Sequence, residues 1–556
     1  MTIQLMIKNV VSRLSLLFHT MRYMQPIQLY GRVLFRLKSP VINCSPAPIR
    51  REMVRDWQKG PLRKPMMLDS CLFRYLNQVH PVEQRSDWNN PAYPKLWLYN
   101  LHYFDDLNAL DASQRRAWHR QLIKRWISEN PVGEGSAWEP YPLSLRIVNW
   151  IKWIIDGEEP SATLLDSLAC QVRYLTQRLE FHLLGNHLLV NAKALVFAGL
   201  FFGGRESANW LIQGEQILER EIREQILADG GHFERSPMYH LLILEDLLDL
   251  FNLYNLFEKP YPPYWRDVIE KMLSWSAVMR HPDGEIPLFN DAAMGVAPMP
   301  NQLDDYALKL GFQVSESEQS RFFQPSGFVS LQSQSARVLA DIGTVGPDYL
   351  PAHAHAETFS FEFSLGEQRV FVNSGTSLYE LGPEREFQRS TEAHNTVEVD
   401  GENSSEVWAS FRVARRARVS EQKFVINSGS SFVSATHDGY ARLKPPVLHQ
   451  RSWWLNSGSL QITDHLRGNS EHTLQIIFIL HPDVRVAKSE EGFHLTVDET
   501  DIKILFQPDS RLDSLSVETK YYPEFGISMS TQVIKSTQRF MLPVDLCHQI
   551  KWIERR

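Results

Sequence analysis

The sequence predicts a multidomain α+β protein in which a domain of helical hairpins is followed by an antiparallel β-sandwich. Between residues 110 and 310, apolar side chains recur every three or four positions, the pattern of helices that bury one face. From about residue 326 onwards, short segments alternate apolar and polar residues between Gly, Ser, Asp and Asn turns, as antiparallel strands do. At 556 residues, the chain is also too long for one ordinary domain.

The composition and charge exclude some classes of protein and partner. Charged and apolar residues occur in the proportions of a soluble globular protein, and no run of about 18 apolar residues predicts a transmembrane helix. The net charge of -7 gives no basic excess, so we expect no nucleic acid partner. An anionic polysaccharide remains compatible, because it needs only a locally basic groove.

The chain divides into three predicted segments, 1–75, 76–320 and 321–556. The first mixes basic and apolar residues and predicts an amphipathic helix, either on the body of the protein or at a membrane surface, with the body favoured. Basic residues interrupt its apolar stretch and no cleavage site follows, so we expect no secretion signal. A cytoplasmic location follows, with the periplasm as the alternative.

The spacing of the four cysteines also bears on the compartment of the protein. They are Cys44, Cys71, Cys170 and Cys547. None is spaced as C-x-x-C, which argues against a zinc ribbon, a redox motif or a disulfide framework. The cysteines therefore fit a reducing compartment.

In the helical half, the block GSAWEPYPLSLRIVNW is a candidate for binding the substrate. Arg146 and Asn149 lie three apart on one helical face, where they could hold a sugar carboxylate or sulfate. A structural salt bridge explains Arg146 equally well. Trp138 and Glu139 precede them and complete this predicted binding set.

Two further blocks in this half place polar groups at helix starts. In LLGNHLLVNAKAL, Asn186 and His187 open an apolar helix, where Asn186 is also explicable as an N-cap. In GGHFERSPMYHLL, Ser236 and the following proline predict a helix start, with Arg235 and Tyr239 beside it. The polar groups there exceed what capping requires, which makes this block a candidate site.

The β half contains the densest group of candidate ligands. Residues 359–365 alternate apolar and polar side chains, which predicts a half-buried strand. His353 and His355 precede it, two residues apart and therefore on one side of an extended chain. Asn373 and His394 stand at the edges of other β-like runs, so sheet pairing could assemble His355, Asn373 and His394 into a zinc site. Hydrogen-bonded core histidines are the ordinary alternative.

Three ordered blocks carry a family resemblance. They are HAHAETFSF at 353–361, VNSGT at 372–376 and AHNTVEVDG at 393–401. In this order they resemble the C-terminal domain of the heparinase II/III family of polysaccharide lyases. The resemblance covers most of residues 90 to 420 and, more loosely, the β-rich tail. It implies that the helical hairpins close into an (α/α) toroid.

The resemblance also implies roles for individual residues. The catalytic centre of these lyases falls on Asn186, His187, Tyr239 and His353. The structural zinc ion that several members hold falls on His355, Asn373 and His394. Asn373 stands where the family has aspartate, which removes a negative charge from the ligands. Glu357 replaces another aspartate and is expected to orient an imidazole from outside the ligand set.

The implied reaction is β-elimination on a uronic-acid polysaccharide. Asn186 and His187 would neutralise the sugar carboxylate beside C5, a base would remove the C5 proton, and an acid would protonate the departing oxygen at C4. We assign Tyr239 the role of the acid, although it could also act as the base. His353 would take whichever role Tyr239 does not. Arg235, Tyr379 and Arg389 are further predicted contacts to the substrate.

Two other functions remain open. A glycoside hydrolase on a similar toroid would use carboxylates such as Glu139 and Asp291. A non-catalytic glycan-binding or assembly protein could retain the same fold. For the lyase, the expected partner is an anionic polysaccharide, such as a capsule or lipopolysaccharide chain, and a homodimer is also left open.

Overall fold

The computed structural model describes residues 2–314, 319–497 and 502–553, with side chains from residue 12 onwards. Helices fill the first part of the chain, and strands dominate after residue 320. The expected boundary between the two halves, near residues 310–326, includes residues 315–318, which lie outside the described residues. Among the described residues, no helix has both the length and the apolar character needed to span a bilayer.

The α-helices follow the predicted periodicity. They are α1 Thr2–Met21, α2 Pro26–Leu37, α3 Lys95–Tyr103, α4 Arg116–Glu129, α5 Pro140–Ile155, α6 Ala162–Leu175, α7 Gly185–Phe201, α8 Gly204–Gln225, α9 Pro237–Leu256, α10 Tyr264–Val278, α11 Pro300–Lys309 and α12 Pro383–Arg389. Helix α9 begins as the sequence predicts, with Pro237 at its first position and the Ser236 hydroxyl accepting a hydrogen bond from the Tyr239 amide at 3.4 Å. Helix α7 carries apolar residues on all sides, as expected of a helix that is buried almost throughout.

The structure contains one disulfide that the sequence did not predict. Cys44 and Cys170 form a disulfide that ties the segment after α2 to helix α6, with their Cα atoms 4.8 Å apart. Cys71 and Cys547 are free. The pairing was not visible in the sequence because it joins positions 126 residues apart, without a spacing motif.

The strands form antiparallel sheets. They are β1 Leu72–Tyr75, β2 Gln78–Pro81, β3 Arg321–Phe323, β4 Phe328–Ser333, β5 Ala336–Asp341, β6 Phe361–Leu365, β7 Gln368–Phe371, β8 Val397–Val399, β9 Val407–Trp408, β10 Arg412–Val413, β11 Val419–Asn427, β12 Ser430–His437, β13 Leu448–Asn456, β14 Ser459–Arg467, β15 Glu471–Ile479, β16 Val484–Ser489, β17 Gly492–Val497, β18 Lys503–Gln507, β19 Leu515–Tyr521, β20 Met529–Met541 and β21 Val544–Ile553. Sheets of eight, four and five strands share one apolar core. They are ordered β11-β12-β13-β14-β21-β18-β17-β16, β19-β20-β15-β8 and β3-β4-β5-β6-β7.

Strand β6 differs from the prediction in its burial. All five of its residues are buried, so it is not half-exposed. Its polar face is covered by His281, which lies 2.9 Å from a Glu362 carboxylate oxygen and 2.7 Å from the Ser364 hydroxyl. Alternation showed correctly that the two faces differ, but the covering residue comes from a distant loop of the helical half.

Candidate active site

A cavity of about 1230 Å³ lies at the predicted junction between the helical and β halves. Its walls include residues of α5, α7 and α9, the loop before β6 and the segment around β10. All four residues predicted to be catalytic line it: Asn186, His187, Tyr239 and His353. The tertiary fold therefore brings together groups that are up to 167 positions apart in the chain.

Tyr239 lies on the first turn of α9, where its hydroxyl meets two other candidate groups. Its oxygen is 3.1 Å from the Tyr379 hydroxyl oxygen, and its ring centroid is 4.1 Å from that of His353. Burial, followed by the neighbouring Tyr379 hydroxyl, raises the pKa of Tyr239 well above its ordinary value. The hydroxyl is therefore protonated at neutral pH and can donate a proton.

Asp291 holds both histidines of the H-x-H pair. Its two carboxylate oxygens lie 3.0 Å from His353 Nδ1 and 2.8 Å from His355 Nε2. Arg385 donates to the same oxygens at 2.5 and 2.7 Å. Burial alone would raise the pKa of Asp291, but the Arg385 charge and the histidine hydrogen bonds hold it well below its ordinary value. An ionised Asp291 favours the proton of His353 on Nδ1, which leaves Nε2 free to accept one.

Glu234 lies between two of the predicted catalytic groups. One carboxylate oxygen accepts a hydrogen bond from the backbone N–H of Asn186 at 3.4 Å. The other lies 3.5 Å from His353 Nε2. Burial raises the pKa of Glu234, against the opposing influence of His353. This carboxyl group therefore links the start of α7 to the H-x-H loop.

His187 faces the same cavity from α7 and has a carboxylate partner. Its Nδ1 lies 3.2 Å from a Glu180 carboxylate oxygen, and its ring centroid is 4.6 Å from that of Tyr141. Burial lowers the pKa of His187, but the charges of Glu180 and then Glu234 outweigh it, so that the net pKa is raised. The imidazolium form is thus favoured over a wider pH range, which suits a group that binds an anion.

A candidate metal centre lies behind the H-x-H loop. Ligand atoms of His355, Glu357 and His394 lie within 4.8 Å of one another, and all three residues are buried. His355 Nδ1 and one Glu357 carboxylate oxygen have no hydrogen-bond partner. Asp291 occupies the other ring nitrogen of His355 and so directs Nδ1 towards the cluster. Two imidazoles and a carboxylate form a donor set that suits zinc.

Asn373, the third predicted zinc ligand, lies beside this cluster. Its amide oxygen accepts a hydrogen bond from the Ser360 hydroxyl at 2.5 Å and lies 3.1 Å from His394 Nδ1. Glu357 offers a carboxyl group where Asn373 has a neutral amide, with one of its oxygens 3.4 Å from the same nitrogen. The sequence predicted only an orienting role for Glu357, whereas the structure places it among the donor atoms.

Two family models match consecutive parts of the chain. The model described as Heparinase II/III N-terminus matches residues 101–311, and that described as Heparinase II/III-like, C-terminal, matches residues 315–552. Together they cover both the helical half and the sheets. The chain belongs to the heparinase II/III family.

Two relatives of this chain have different names. A heparin-sulfate lyase of Bacteroides stercoris is 26% identical over 432 residues, covering 67% of this chain and 61% of the relative. The FtsZ-localized protein C of Caulobacter vibrioides is 25% identical over 429 residues, covering 71% of each chain. The present chain thus spans about 61% of the length of that lyase.

A solved structure supports the architecture. The crystal structure of heparinase III superimposes with a TM-score of 0.69 at 18% sequence identity, covering 85% of this chain and 80% of that chain. This likeness confirms the predicted fold class, an (α/α) toroid followed by an antiparallel β-sandwich. The predicted resemblance to the heparinase II/III family is likewise confirmed.

Three of the predicted substrate contacts are corrected by their burial. Arg146 is fully buried and donates to the Gln171 side chain and to two backbone carbonyl groups, with its guanidinium 3.9 Å from the centre of the Trp126 ring. Trp138 is buried in the same aromatic core. Arg389 donates to the carbonyl oxygens of neighbouring loops, including that of Ala354 at 2.8 Å. These side chains stabilise the heparinase II/III fold and do not line the cavity.

The other predicted contacts are divided between the cavity and its surroundings. Arg235 was predicted to contact the substrate, but it does not line the cavity. Its guanidinium donates to the Thr344 hydroxyl at 2.8 Å. Glu139 is also corrected: it does not line the cavity and pairs with Lys95 at 2.5 Å. Asn149 and Tyr379 line the cavity. The Asn149 amide, however, donates within the protein, to the Tyr103 carbonyl at 2.9 Å and to the Asp105 carboxylate at 2.7 Å.

Sequence reasoning left two central groups out of the predicted site. Glu234 was noted only as one of several polar residues near the start of α9, and Asp291 only as part of the hydrolase alternative. The signal for Glu234 was its position five residues before Tyr239, at a helix start that already had a complete cap. No local pattern marked Asp291, because its partners are supplied by the β half.

Proposed function

We propose that this chain is a polysaccharide lyase that cleaves a uronic-acid-containing glycan by β-elimination. The observation that carries this proposal is the arrangement of Tyr239 and His353, whose rings lie 4.1 Å apart in one cavity with Asn186 and His187. A protonated hydroxyl, an imidazole fixed by a carboxylate, and two donors for an anion are the groups that elimination requires.

Neutralising the sugar carboxylate is the first requirement. The C5 proton of a uronate is very weakly acidic, so its removal needs hydrogen-bond donors on the adjacent carboxylate as charge develops. Asn186 offers an amide, and His187 offers a ring whose protonated form Glu180 favours. Both line the cavity and would face one carboxylate.

His353 is the proposed base and Tyr239 the proposed acid. The Asp291 contact directs the Nδ1 proton of His353 into the protein, so Nε2 would accept the C5 proton. Tyr239 keeps its proton at neutral pH and would donate it to the oxygen leaving C4. Tyr379, whose hydroxyl lies 3.1 Å from that of Tyr239, would orient the donor.

A metal ion would act through the loop that carries His353. We propose that His355, Glu357 and His394 hold zinc, with Asn373 beside them. When bound, zinc would supply a structural cross-link between the H-x-H loop and the segment before β8. Within the protein, Asp291 joins this cluster to the base, because it contacts both His353 and His355.

The two carboxylates proposed for the hydrolase alternative do not reach the cavity. Asp291 is fully buried and paired with Arg385, and neither it nor Glu139 lines the cavity. One observation supports a non-catalytic assembly role, namely the match to FtsZ-localized protein C over 71% of each chain. Biological activity that survives Tyr239→Phe combined with His353→Ala would favour that role.

The test is the near-ultraviolet absorbance of a new C4=C5 double bond. Purified protein would be incubated with heparan sulfate, alginate, hyaluronan, and capsular or lipopolysaccharide glycans that contain uronate. We expect a rise on at least one glycan and its loss in Tyr239→Phe. Tyr254→Phe is the matched control, because Tyr254 lies on the same helix but its hydroxyl donates to Glu215, away from the cavity. No rise on any glycan, with folded and zinc-loaded protein, would contradict the proposal.

A further inference from the structure

The first two helices expose apolar side chains in regular stripes. On α1, the stripe consists of Leu14, Leu17, Phe18 and Met21, which are between 37% and 66% exposed. Their spacing of i, i+3, i+4 and i+7 places them on one face of the helix. Leu17 and Met21 border the cavity, whereas Leu14 and Phe18 do not line it. A helix docked on a protein body normally turns its apolar face inwards, so these two outer residues require another explanation.

Helix α2 repeats the pattern. Tyr30, Val33, Leu34 and Leu37 follow the same spacing and are between 53% and 76% exposed. Of the large apolar side chains that are exposed in the described part of the chain, half fall between residues 14 and 62. Single exposed apolar residues are ordinary on a protein surface, but such a concentration indicates an interaction surface.

Both helices are already fixed to the protein by their other faces. The Thr20 hydroxyl of α1 accepts a hydrogen bond from the Trp408 indole at 3.1 Å, in the β half. Gln28 of α2 is buried and donates to the Tyr349 carbonyl oxygen at 3.1 Å. Within the described part of the chain, the body of the protein thus contacts the inner faces, and the stripes stay uncovered apart from Leu17 and Met21 at the cavity.

The charge of this region is opposite to that of the whole chain. The first acidic residue is Glu52, whereas the net charge of the full sequence is -7. Eight basic residues precede it: Lys8, Arg13, Arg22, Arg32, Arg36, Lys38, Arg50 and Arg51. Arg32 and Arg36 lie four apart beside the α2 stripe, and both are exposed. The surface formed by α1 and α2 is therefore apolar, and the charged side chains described on these helices are all basic.

We propose that α1 and α2 form a docking surface for an anionic lipid membrane. The stripes would enter the boundary between headgroups and acyl chains, while the basic residues contact lipid phosphates. A second copy of this chain is a poorer occupant, because a symmetric contact would bring two basic surfaces together. Leu17, Met21 and Leu29 also line the cavity, so docking would place its mouth beside the membrane.

The experiment is co-sedimentation of the full chain with vesicles. One set contains phosphatidylcholine alone, and the other contains phosphatidylcholine with phosphatidylglycerol. We expect binding to the anionic vesicles that is at least about tenfold tighter than to the neutral ones. Val33→Ser, Leu34→Ser and Leu37→Ser combined should weaken it by at least about tenfold, and so should Arg36→Glu with Lys38→Glu.

The matched control replaces apolar residues that are equally exposed elsewhere. Ile212 on α8 and Leu308 on α11 are 52% and 56% exposed, and Ile212→Ser with Leu308→Ser should leave vesicle binding unchanged. Equal binding to both vesicle types, or binding unaffected by the triple serine variant, would overturn the proposal. So would a wild-type dimer, seen by light scattering, that the triple variant dissociates, since the stripes would then be a self-interface.

Discussion

The charge of His187 depends on the Glu180 carboxylate, 3.2 Å from its Nδ1. Because the pKa of His187 is raised in the folded protein, the stabilising contact is fully present below the ordinary value of about 6.5. It is lost as the pH rises through the raised pKa. If the imidazolium binds the sugar carboxylate, kcat/KM should fall over the same pH range.

Glu180→Gln should therefore move the alkaline limb of the kcat/KM profile to lower pH, because the neutral amide no longer favours the imidazolium. The measurement is initial rate against pH on the glycan identified by absorbance. Glu270→Gln is the control, since Glu270 is half-exposed and pairs with Arg266 on the surface. An alkaline limb in the same place in the Glu180→Gln variant would show that His187 does not set it.

The proposed zinc site gives a second prediction at the scale of residues. Glu357→Gln should weaken zinc binding by at least about 100-fold, because it removes the carboxylate from the donor set. Asn373→Asp should retain zinc or bind it more tightly, since it adds an anionic oxygen near His394. Both effects are read by atomic emission after dialysis against zinc buffers. Zinc retained in Glu357→Gln but lost in Asn373→Ala would assign the third ligand to Asn373 instead.

Motifs selected catalytic candidates that line one cavity, whereas several of the predicted binding residues lie outside it. His353 and Tyr239 were identified because their neighbours in sequence form recognisable blocks. Arg146 was misassigned because helical spacing shows which residues share a face but not what that face packs against. Asp291 was not assigned to the site because its function depends on Arg385 and two histidines that only the folded chain brings near.

At the scale of elements, the loop after β7 must approach another strand closely. Gly375 has φ +83°, and a Cβ there would lie 2.1 Å from the Tyr522 carbonyl oxygen. This loop runs from Asn373 to Tyr379 and so links the metal centre to the cavity. Glycine is required because both its backbone conformation and the contact exclude a side chain.

Gly375→Ala should lower the free energy of unfolding by about 2 kcal/mol or more and reduce activity through Tyr379. Gly366→Ala is the control, because Gly366 also has a positive φ, +55°, but its Cβ would meet open space. Urea unfolding of both variants separates the clash from the backbone strain. Equal destabilisation by the two substitutions would contradict the proposed close contact.

Periodicity predicted the elements well because burial of one face dictates the spacing along helices and strands. It could not predict how each polar face would be covered. The buried polar face of β6 and the Cys44–Cys170 disulfide both join segments far apart in the chain. Such pairings depend on tertiary packing, which a single sequence does not display.

At the scale of the whole molecule, a net charge of -7 coexists with a cavity that basic residues help to line. These residues include Arg32, Lys64, Arg412 and Arg416. As many acidic as basic side chains line the cavity, so attraction of an anionic glycan should depend on individual basic groups such as Arg412. KM should then rise by about threefold or more between low and high salt. Arg412→Ala should raise KM at low salt and flatten this dependence. A KM independent of ionic strength would contradict electrostatic binding.

Cleavage in water labelled with heavy oxygen tests the central proposal most directly, because elimination and hydrolysis differ in whether water enters the product. The products would be analysed by mass spectrometry alongside near-ultraviolet absorbance. The proposal predicts fragments without the label, each cut giving one unsaturated end, and no cleavage by Tyr239→Phe. Labelled, saturated fragments would contradict it and identify a hydrolase.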